Sequence, residues 1–132
     1  MANDAQPGPG QIGWIDLTVP GAEAVRDFYQ EVTGWTATPV AMGGYRDYCM
    51  VAASGQSVAG ICHAQGVNAG QPPVWMIYIV VADLDEAMLR CQARGGKVLR
   101  TPAGAGAGNR FCVIQDPAGA VAGLLESRSE SV

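Results

Sequence analysis

An internal repeat of about sixty residues constrains the fold of this chain more than any other feature of its sequence. Residues 11–35 and residues 73–97 each contain a short apolar run, a turn, a helical pattern and then glycine. Gly34 in the first copy corresponds to Gly96 in the second, and the downstream segments also match, one residue further apart. A repeat of this length is a complete supersecondary unit used twice.

Each copy of the repeat predicts four strands and one helix in the order βαβββ. Ile12–Val19 alternates between two faces, as a strand does, and the segment after it places apolar residues on one helical stripe. The sequence therefore predicts an α+β fold built from tandem βαβββ modules. The expected boundaries are a disordered tail at 1–10, a single domain at 11–126 (module one 11–63, linker 64–73, module two 74–126) and a second tail at 127–132.

Composition excludes several classes of partner. The length of 132 residues fits one domain, and two modules that would each be marginal alone should share its core. The formal net charge of −4 argues against nucleic acid, whose phosphates require clusters of Lys and Arg. No apolar run is long enough to span a bilayer, and residues 1–10 lack the features of a secretory signal. We therefore expect a cytoplasmic protein that binds neither nucleic acid nor membranes.

The cysteines and the single histidine do not form a recognisable metal-binding pattern. No CxxC is present, and no second histidine completes a zinc set with His63, which is expected at the surface or in the linker. Cys49 and Cys112 occupy matching positions of the repeat, which favours a structural role in the core. All four cysteines are expected to be reduced and mostly buried: Cys49, Cys62, Cys91 and Cys112.

Several motifs along the repeat resemble those of the vicinal oxygen chelate superfamily, which includes glyoxalase I, extradiol dioxygenases and bleomycin-resistance proteins. The resemblance extends from about Ile12 to Glu126 and implies a glyoxalase-like fold: a curved sheet around a ligand cavity, with the helices outside. The matching motifs are Trp14–Val19, Phe28-Tyr29, Gly34-Trp35, Val81–Asp85, Gly95-Gly96 and Asp116–Gly119.

The resemblance also implies where a metal would bind in this family. Metal enzymes of the family use one ligand on the first and one on the last strand of each module, usually His and Glu. By motif register those positions are Trp14, Gly60, Met76 and Gly123. None is a normal ligand for a divalent metal, because methionine suits only soft ions such as copper(I). We therefore expect no metal at this site and no cofactor.

The same register predicts which side chains face the cavity. If Trp14 takes the ligand position, then Asp16 and Thr18 share its face, whereas Ile15, Leu17 and Val19 pack under the helix. An aromatic wall with few polar groups is typical of a small-molecule pocket. Arg110 and Asp47 occupy matching positions and are expected either to pair with each other or to reach a ligand. The expected ligand-binding residues are Trp14, Thr18, Gly60, Cys62, Met76, Arg110 and Gly123.

Asp16 and Tyr78 are the candidate catalytic residues. Asp16 beside Trp14 could act as a general base, and Tyr78 could hold or protonate a ligand oxygen. The alternatives are a salt-bridged acid at the mouth of the pocket and a core tyrosine with its hydroxyl at an edge. Trp14 could either stack on a planar ligand or simply pack.

The resemblance therefore favours a metal-free protein of the bleomycin-resistance type that binds a small organic molecule. It implies a homodimer with Trp35 or Trp75 at the partner surface. The alternative is a metal-independent isomerase, lyase or cyclase that uses Asp16 and Tyr78, so the sequence leaves open whether the chain is an enzyme. A metal-dependent lyase or dioxygenase is disfavoured by the four substituted positions.

Overall fold

A computed structural model describes residues 7–104 and 109–126 of the chain. The predicted α+β fold and the βαβββ order of each module are confirmed. No helix in the described part of the chain has the length and apolar character needed to cross a bilayer. Module one contains β1 (Ile12–Val19), α1 (Ala22–Thr33), β2 (Thr36–Ala41), β3 (Arg46–Val51) and β4 (Ser57–His63), and module two contains β5 (Trp75–Val81), α2 (Leu84–Ala93), β6 (Lys97–Gly104), β7 (Arg110–Gln115) and β8 (Val121–Glu126).

Module one is a compact unit that runs from Trp14 to Trp75. Its strands are ordered β2-β3-β4-β1, with β1 parallel to β4 and the other pairs antiparallel. Helix α1 ends at Gly34, which adopts the left-handed conformation (φ 81°) that glycine tolerates best. Beneath this helix lies the core, as strand alternation predicts for Leu17 and Val19; its buried members are Leu17, Val19, Ala22, Tyr48, Met50 and Ile61.

Module two is a second compact unit, which also includes the residues before Trp14. Its strands are ordered β5-β8-β7-β6, and β5 is parallel to β8. Leu84, Cys112 and Leu124 form the buried core beneath α2. At the start of α2, the Asp83 side chain accepts a hydrogen bond from the backbone N–H of Glu86, which satisfies one of the helix's free donors.

The expected disordered tails fall mostly outside the described residues. Residues 1–6 and 127–132 are not described, whereas 7–10 are. The backbone N–H of Gly10 donates to the Val80 carbonyl oxygen at 2.7 Å. Gly10 is therefore hydrogen-bonded to β5, although it lies one residue before the expected start of the domain.

Strand register corrects the alignment of the two copies in β3 and β7. In module one Cys49 lies opposite Gly60, whereas in module two Val113 lies opposite Gly123. Cys49 is therefore equivalent to Val113, and the expected match between Cys49 and Cys112 is wrong by one residue. Because a shift of one residue turns every side chain of a strand to the other face, Cys112 is fully buried under α2, whereas Cys49 is half-buried on the face away from α1.

Candidate functional site

The face of module one opposite α1 carries most of the predicted ligand-binding residues of that module. On β1, Asp16 lies beside Gly60 of β4, and Thr18 lies beside Cys62. These positions alternate with Leu17 and Val19, which face the helix core, so the four residues belong to the other face. We refer to this surface, formed by Trp14, Asp16, Thr18, Asp47, Cys49, Gly60 and Cys62, as the module-one face.

Gly60 allows the Trp14 indole to lie against β4. A Cβ atom added at Gly60 would lie 3.3 Å from Trp14 Nε1 and 3.2 Å from Asp16 Cβ. The indole and the Asp16 side chain thus flank the position where a larger residue would project. The half-buried Trp14 ring is available as one wall of a binding surface.

Cys62 lies in an acidic environment that keeps its thiol protonated. Burial raises the pKa of Cys62 well above its ordinary value, and the charges of Asp16 and Asp47 raise it further. A hydrogen bond with Asp47 also raises the pKa, whereas one with Thr18 lowers it. Because the thiolate is the nucleophilic form of cysteine, this arrangement favours Cys62 as a hydrogen-bonding and packing group rather than as a nucleophile.

Asp47 and His63 are both buried. The sequence left open whether Asp47 pairs with Arg110 or reaches a ligand, and it did not assign His63 to the site. The expectation that His63 lies at the surface or in the linker is wrong, because it ends β4 and is only 6% exposed. Its Nε2 lies 3.1 Å from Glu23 Oε1 in the first turn of α1. Asp47 Oδ1 accepts the backbone N–H of His63 at 2.8 Å. Strand alternation placed His63 on the helix side, but the Glu23 and Asp47 contacts depend on tertiary packing.

In module two the equivalent face is apolar. Tyr78 lies beside Gly123, as Asp16 lies beside Gly60 in module one. A Cβ atom added at Gly123 would overlap the Tyr78 ring, whose edge also meets Phe111 with ring centroids 5.8 Å apart. Met76 and Tyr78 are both buried. The two modules therefore have the same strand pairing but different surfaces. The face of module one carries acids and thiols, whereas that of module two carries packed aromatic and aliphatic groups.

Arg110 is engaged on module two, away from the predicted ligand face. Its Nε lies 3.0 Å from Glu126 Oε1, and its guanidinium lies 3.4 Å from Asp85 Oδ2. Glu126 also accepts the backbone N–H of Leu84 at the start of α2. Arg110 therefore links β7 and β8 to the helix, and Asp47 has its own contacts with His63 in module one. These contacts favour a structural role for Arg110 over the predicted contact with a ligand.

The four positions at which the family would bind a metal do not fit a metal. Trp14 and Gly60 in module one, and Met76 and Gly123 in module two, offer no oxygen or imidazole donor. Trp14 lies against Gly60, and the Tyr78 ring occupies the space that a side chain at position 123 would need. Within residues 7–104 and 109–126, no cluster of three His, Cys, Asp or Glu side chains is arranged to hold a metal ion.

A separate concavity of about 630 Å³ lies on the helix side of module one. Its walls come from α1, from β2 and β3 and from the connection between these two strands, and they include both charged and aromatic side chains. Arg26 spans part of it, with its guanidinium carbon 4.6 Å from the centroid of the Tyr48 ring. The lining residues are Glu23, Arg26, Asp27, Gln30, Ala37, Pro39, Gly44, Tyr45, Arg46 and Tyr48.

Comparison with known proteins supports one family. The sequence profile of the Glyoxalase/Bleomycin resistance protein/Dioxygenase superfamily matches residues 11–122. The anthracycline biosynthesis protein DnrV of Streptomyces peucetius is 33% identical over 124 residues, covering 85% of this chain and 45% of that protein. This chain thus spans less than half the length of the curated relatives it matches.

Solved structures support the same fold. A variant of Streptomyces coelicolor methylmalonyl-CoA epimerase in complex with 2-nitronate-propionyl-CoA matches with a TM-score of 0.60 and 17% identity, covering 92% of this chain and 100% of that one. Methylmalonyl-CoA epimerase from Mycobacterium tuberculosis matches with a TM-score of 0.58 and 18% identity, covering 98% and 94%. At these identities the similarity concerns the fold.

Proposed function

This chain belongs to the Glyoxalase/Bleomycin resistance protein/Dioxygenase superfamily, and on that premise we propose that it binds a small organic molecule without using a metal. The ligand would rest on the module-one face, against the Trp14 indole and within reach of the Asp16 carboxylate. A half-buried aromatic ring beside a few polar groups is the usual composition of a small-molecule site.

The observation that carries this proposal is the use of glycine at Gly60. The glycine lets Trp14 and Asp16 pack closely against the β4 backbone, at the position where a metal-binding carboxylate would otherwise project. Recognition would then depend on stacking with the indole and on a charged hydrogen bond to Asp16. Because DnrV is named as an anthracycline biosynthesis protein, planar polycyclic aromatic compounds are the first ligand class that we propose for this surface.

A second candidate function is metal-independent acid–base catalysis at the same face. Asp16 and Asp47 both act on the Cys62 thiol, so two carboxylates face one small area. Such a group of proton acceptors could remove a proton from a bound substrate if Asp16 were the base. Conversion of the bound compound into a product, with a rate that depends on pH, would separate this function from simple binding.

Metal independence and ligand class can be tested in one experiment. We expect protein treated with EDTA and then dialysed to bind an anthracycline with the same affinity as untreated protein in calorimetric titration. The reason is that the Trp14 and Gly60 positions supply no donor atoms for a metal. Elemental analysis of both samples is the control. One tightly held Zn, Fe, Mn or Ni per chain, with binding lost on its removal, would contradict the proposal.

We also propose a homodimer that buries an aromatic cluster of module one. The Tyr29 ring packs against Trp35 and Trp75, and the Trp75 indole N–H donates to the Tyr29 hydroxyl at 3.0 Å. Beside this cluster, Phe28 is 57% and Val32 62% exposed on α1. Exposed apolar side chains next to a rigid aromatic cluster are typical of an interface between proteins.

The dimer is tested by the mass of the particle in solution. We expect light scattering to give twice the mass of the chain, and Phe28→Glu to reduce it to that of a monomer, because a charge at an apolar interface is costly. Leu89→Glu, at a position on α2 that is 64% exposed, is the matched control and should leave the dimer intact. A parent protein that is monomeric at high concentration would contradict the proposal.

The cytoplasmic location remains a prediction, supported by four free cysteines.

A further inference from the structure

The buried polar residues of the described chain all lie around Cys62. They are Thr18, Asp47 and His63, each no more than 6% exposed. Thr18 is the register partner of Cys62 on β1, and His63 is the next residue on β4. The pairing of Cys49 with Gly60 and of Tyr48 with Ile61 places Asp47 opposite Cys62 on β3. Burial of three polar side chains at one place is costly unless they contact one another.

Asp47 contacts residues on both sides of strand β4. Consecutive residues of a strand point to opposite faces, so Cys62 belongs to the module-one face and His63 to the helix side. The Asp47 carboxylate accepts the His63 backbone N–H at 2.8 Å and lies 3.5 Å from His63 Nδ1. It also lies on the residue of β3 opposite Cys62, and it contributes to the raised pKa of the Cys62 thiol. This carboxylate therefore connects the helix side of the sheet to the module-one face.

His63 is held between two carboxylates in a way that suits its protonated form. Nε2 lies 3.1 Å from Glu23 Oε1, and Nδ1 lies 3.5 Å from Asp47 Oδ1. A neutral imidazole carries a proton on only one nitrogen, so its other nitrogen would turn a lone pair toward a carboxylate. Nδ1 is buried and has no hydrogen-bond partner among the described residues. The imidazolium ion removes this repulsion, because both of its nitrogens carry a proton.

The surroundings of His63 support the same protonation state. Burial lowers the pKa of His63, but the hydrogen bond and charge of Glu23, with smaller contributions from Asp47 and the Arg46 backbone, raise it above the ordinary 6.5. The rings of Tyr48 in β3 and of Tyr45, just before this strand, also pack against the imidazole. The cation facing this region from α1 is Arg26, which is paired with Asp27 at 2.9 Å and lies over the Tyr48 ring.

We propose that Asp47 and His63 are positioning residues for the module-one face, so that protonation of His63 controls how Asp47 holds the Cys62 thiol beside Asp16. With His63 charged, the imidazolium offsets the Asp47 charge from the helix side, and Asp47 can accept a hydrogen bond from the Cys62 thiol, which keeps its proton. With His63 neutral, the charge of Asp47 is no longer offset by the imidazolium from the helix side. The inference rests on the proposed function only in treating this face as the ligand surface.

The pH range in which His63 and Glu23 are both charged follows from the raised pKa of His63 and the lowered pKa of Glu23. Because the pKa of His63 is raised on folding, its stabilising contribution is present below the ordinary value of 6.5 and is lost as the pH rises through the pKa in the folded protein. Hydrogen bonding to the backbone and then to His63 lowers the pKa of Glu23, so its contribution is present above 4.5 and is lost on acidification. The pair is therefore complete between about pH 4.5 and 6.5, and the face should change above that range as His63 loses its proton.

NMR titration of the intact chain tests this proposal without any ligand. His63 is the only histidine, so its imidazole resonance is unambiguous. We expect its midpoint above 6.5, and we expect the Cys62 ¹³Cβ resonance to change with the same midpoint. Glu23→Gln should lower both midpoints together, because it removes the hydrogen bond and the charge of Glu23 that raise the pKa of His63. Glu31→Gln, an exposed acid on the same helix, is the matched control and should move neither.

The outcomes separate this inference from the proposed function. A Cys62 resonance that does not respond near the His63 midpoint, or does not move with it in Glu23→Gln, would overturn the inference. In a parallel titration the affinity for an anthracycline should fall as His63 loses its proton, with the same shift in Glu23→Gln. If the anthracycline does not bind at any pH, the proposed ligand class fails, and the Cys62 response alone decides the role of Asp47 and His63.

Discussion

Replacing Gly123 with alanine is expected to lower the free energy of unfolding by about 1–3 kcal/mol, the usual cost of overpacking a core. The added methyl group would overlap the Tyr78 ring, with even Cγ of that ring only 3.0 Å away. Tyr78 is 6% exposed and is in edge contact with Phe111, so its ring has little room to move. Chemical denaturation of the parent and the variant measures the difference.

Gly60→Ala is the matched control for this prediction, because Gly60 occupies the same position in module one. Its added methyl group would lie 3.2 Å from Asp16 Cβ and 3.3 Å from Trp14 Nε1, a contact that a small movement of the half-buried indole relieves. The cost should be clearly smaller than at Gly123. Adding Tyr78→Leu to Gly123→Ala should recover part of the loss, since the overlapping ring is gone. Equal stability of the Gly123→Ala variant and the parent would show that the ring moves aside freely.

The same contact has a consequence for metal binding. A glutamate at position 123 would have to place its Cβ inside the Tyr78 ring, and so could not supply a ligand without displacing that ring. The packing of the Tyr78 ring in module two therefore requires a residue without a side chain at position 123. A change of one residue would not restore a metal site.

Asp16→Asn is expected to leave the fold intact and to weaken anthracycline binding by about tenfold or more. A hydrogen bond to a charged group contributes about 1.5–3 kcal/mol, and each 1.4 kcal/mol corresponds to a factor of ten in affinity. Asp16 lies on the module-one face beside Gly60 and is not part of the core under α1. Calorimetric titration gives the affinity, and circular dichroism with thermal unfolding reports on the fold.

Two further variants test whether the loss of affinity in Asp16→Asn is caused by removal of the Asp16 charge. Asp27→Asn removes an acid of α1 that is paired with Arg26 on the helix side, so it should not change the affinity. Trp14→Ala should weaken binding of an aromatic ligand without changing the pH dependence, because it removes the stacking surface and no titratable group. If Asp16→Asn binds like the parent, the carboxylate has no role in recognition and the face works through shape and stacking alone.

The architecture of the chain was accessible from its sequence. Two copies of one pattern of apolar runs, turns and glycines predicted the βαβββ order, and alternation in β1 placed Leu17 and Val19 under the helix, where the structure has them. These features are local, because strand and helix periodicity follow from backbone geometry and from the need of each module to bury one face. The substitutions at Gly60 and Gly123 were equally visible, since they required only an alignment of motifs.

The tertiary structure decided the register of the third strand in each module and the contacts around Cys62. Sequence matching aligned Cys49 with Cys112, but hydrogen-bonded pairing with β4 and β8 makes Cys49 equivalent to Val113. Register depends on which strand lies alongside and on the length of the connections, and neither is encoded in the local pattern.

The roles of Asp47 and His63 also depended on tertiary structure. Glu23, Asp47 and His63 are far apart in the chain. Folding places His63 Nε2 at 3.1 Å from Glu23 Oε1 and His63 Nδ1 at 3.5 Å from Asp47 Oδ1. A histidine near a strand end has no periodic signal that distinguishes a surface residue from one held between two carboxylates. Its burial and its charge state depend on the packing of α1 against β3 and β4, because that packing both excludes water and supplies the acidic partners.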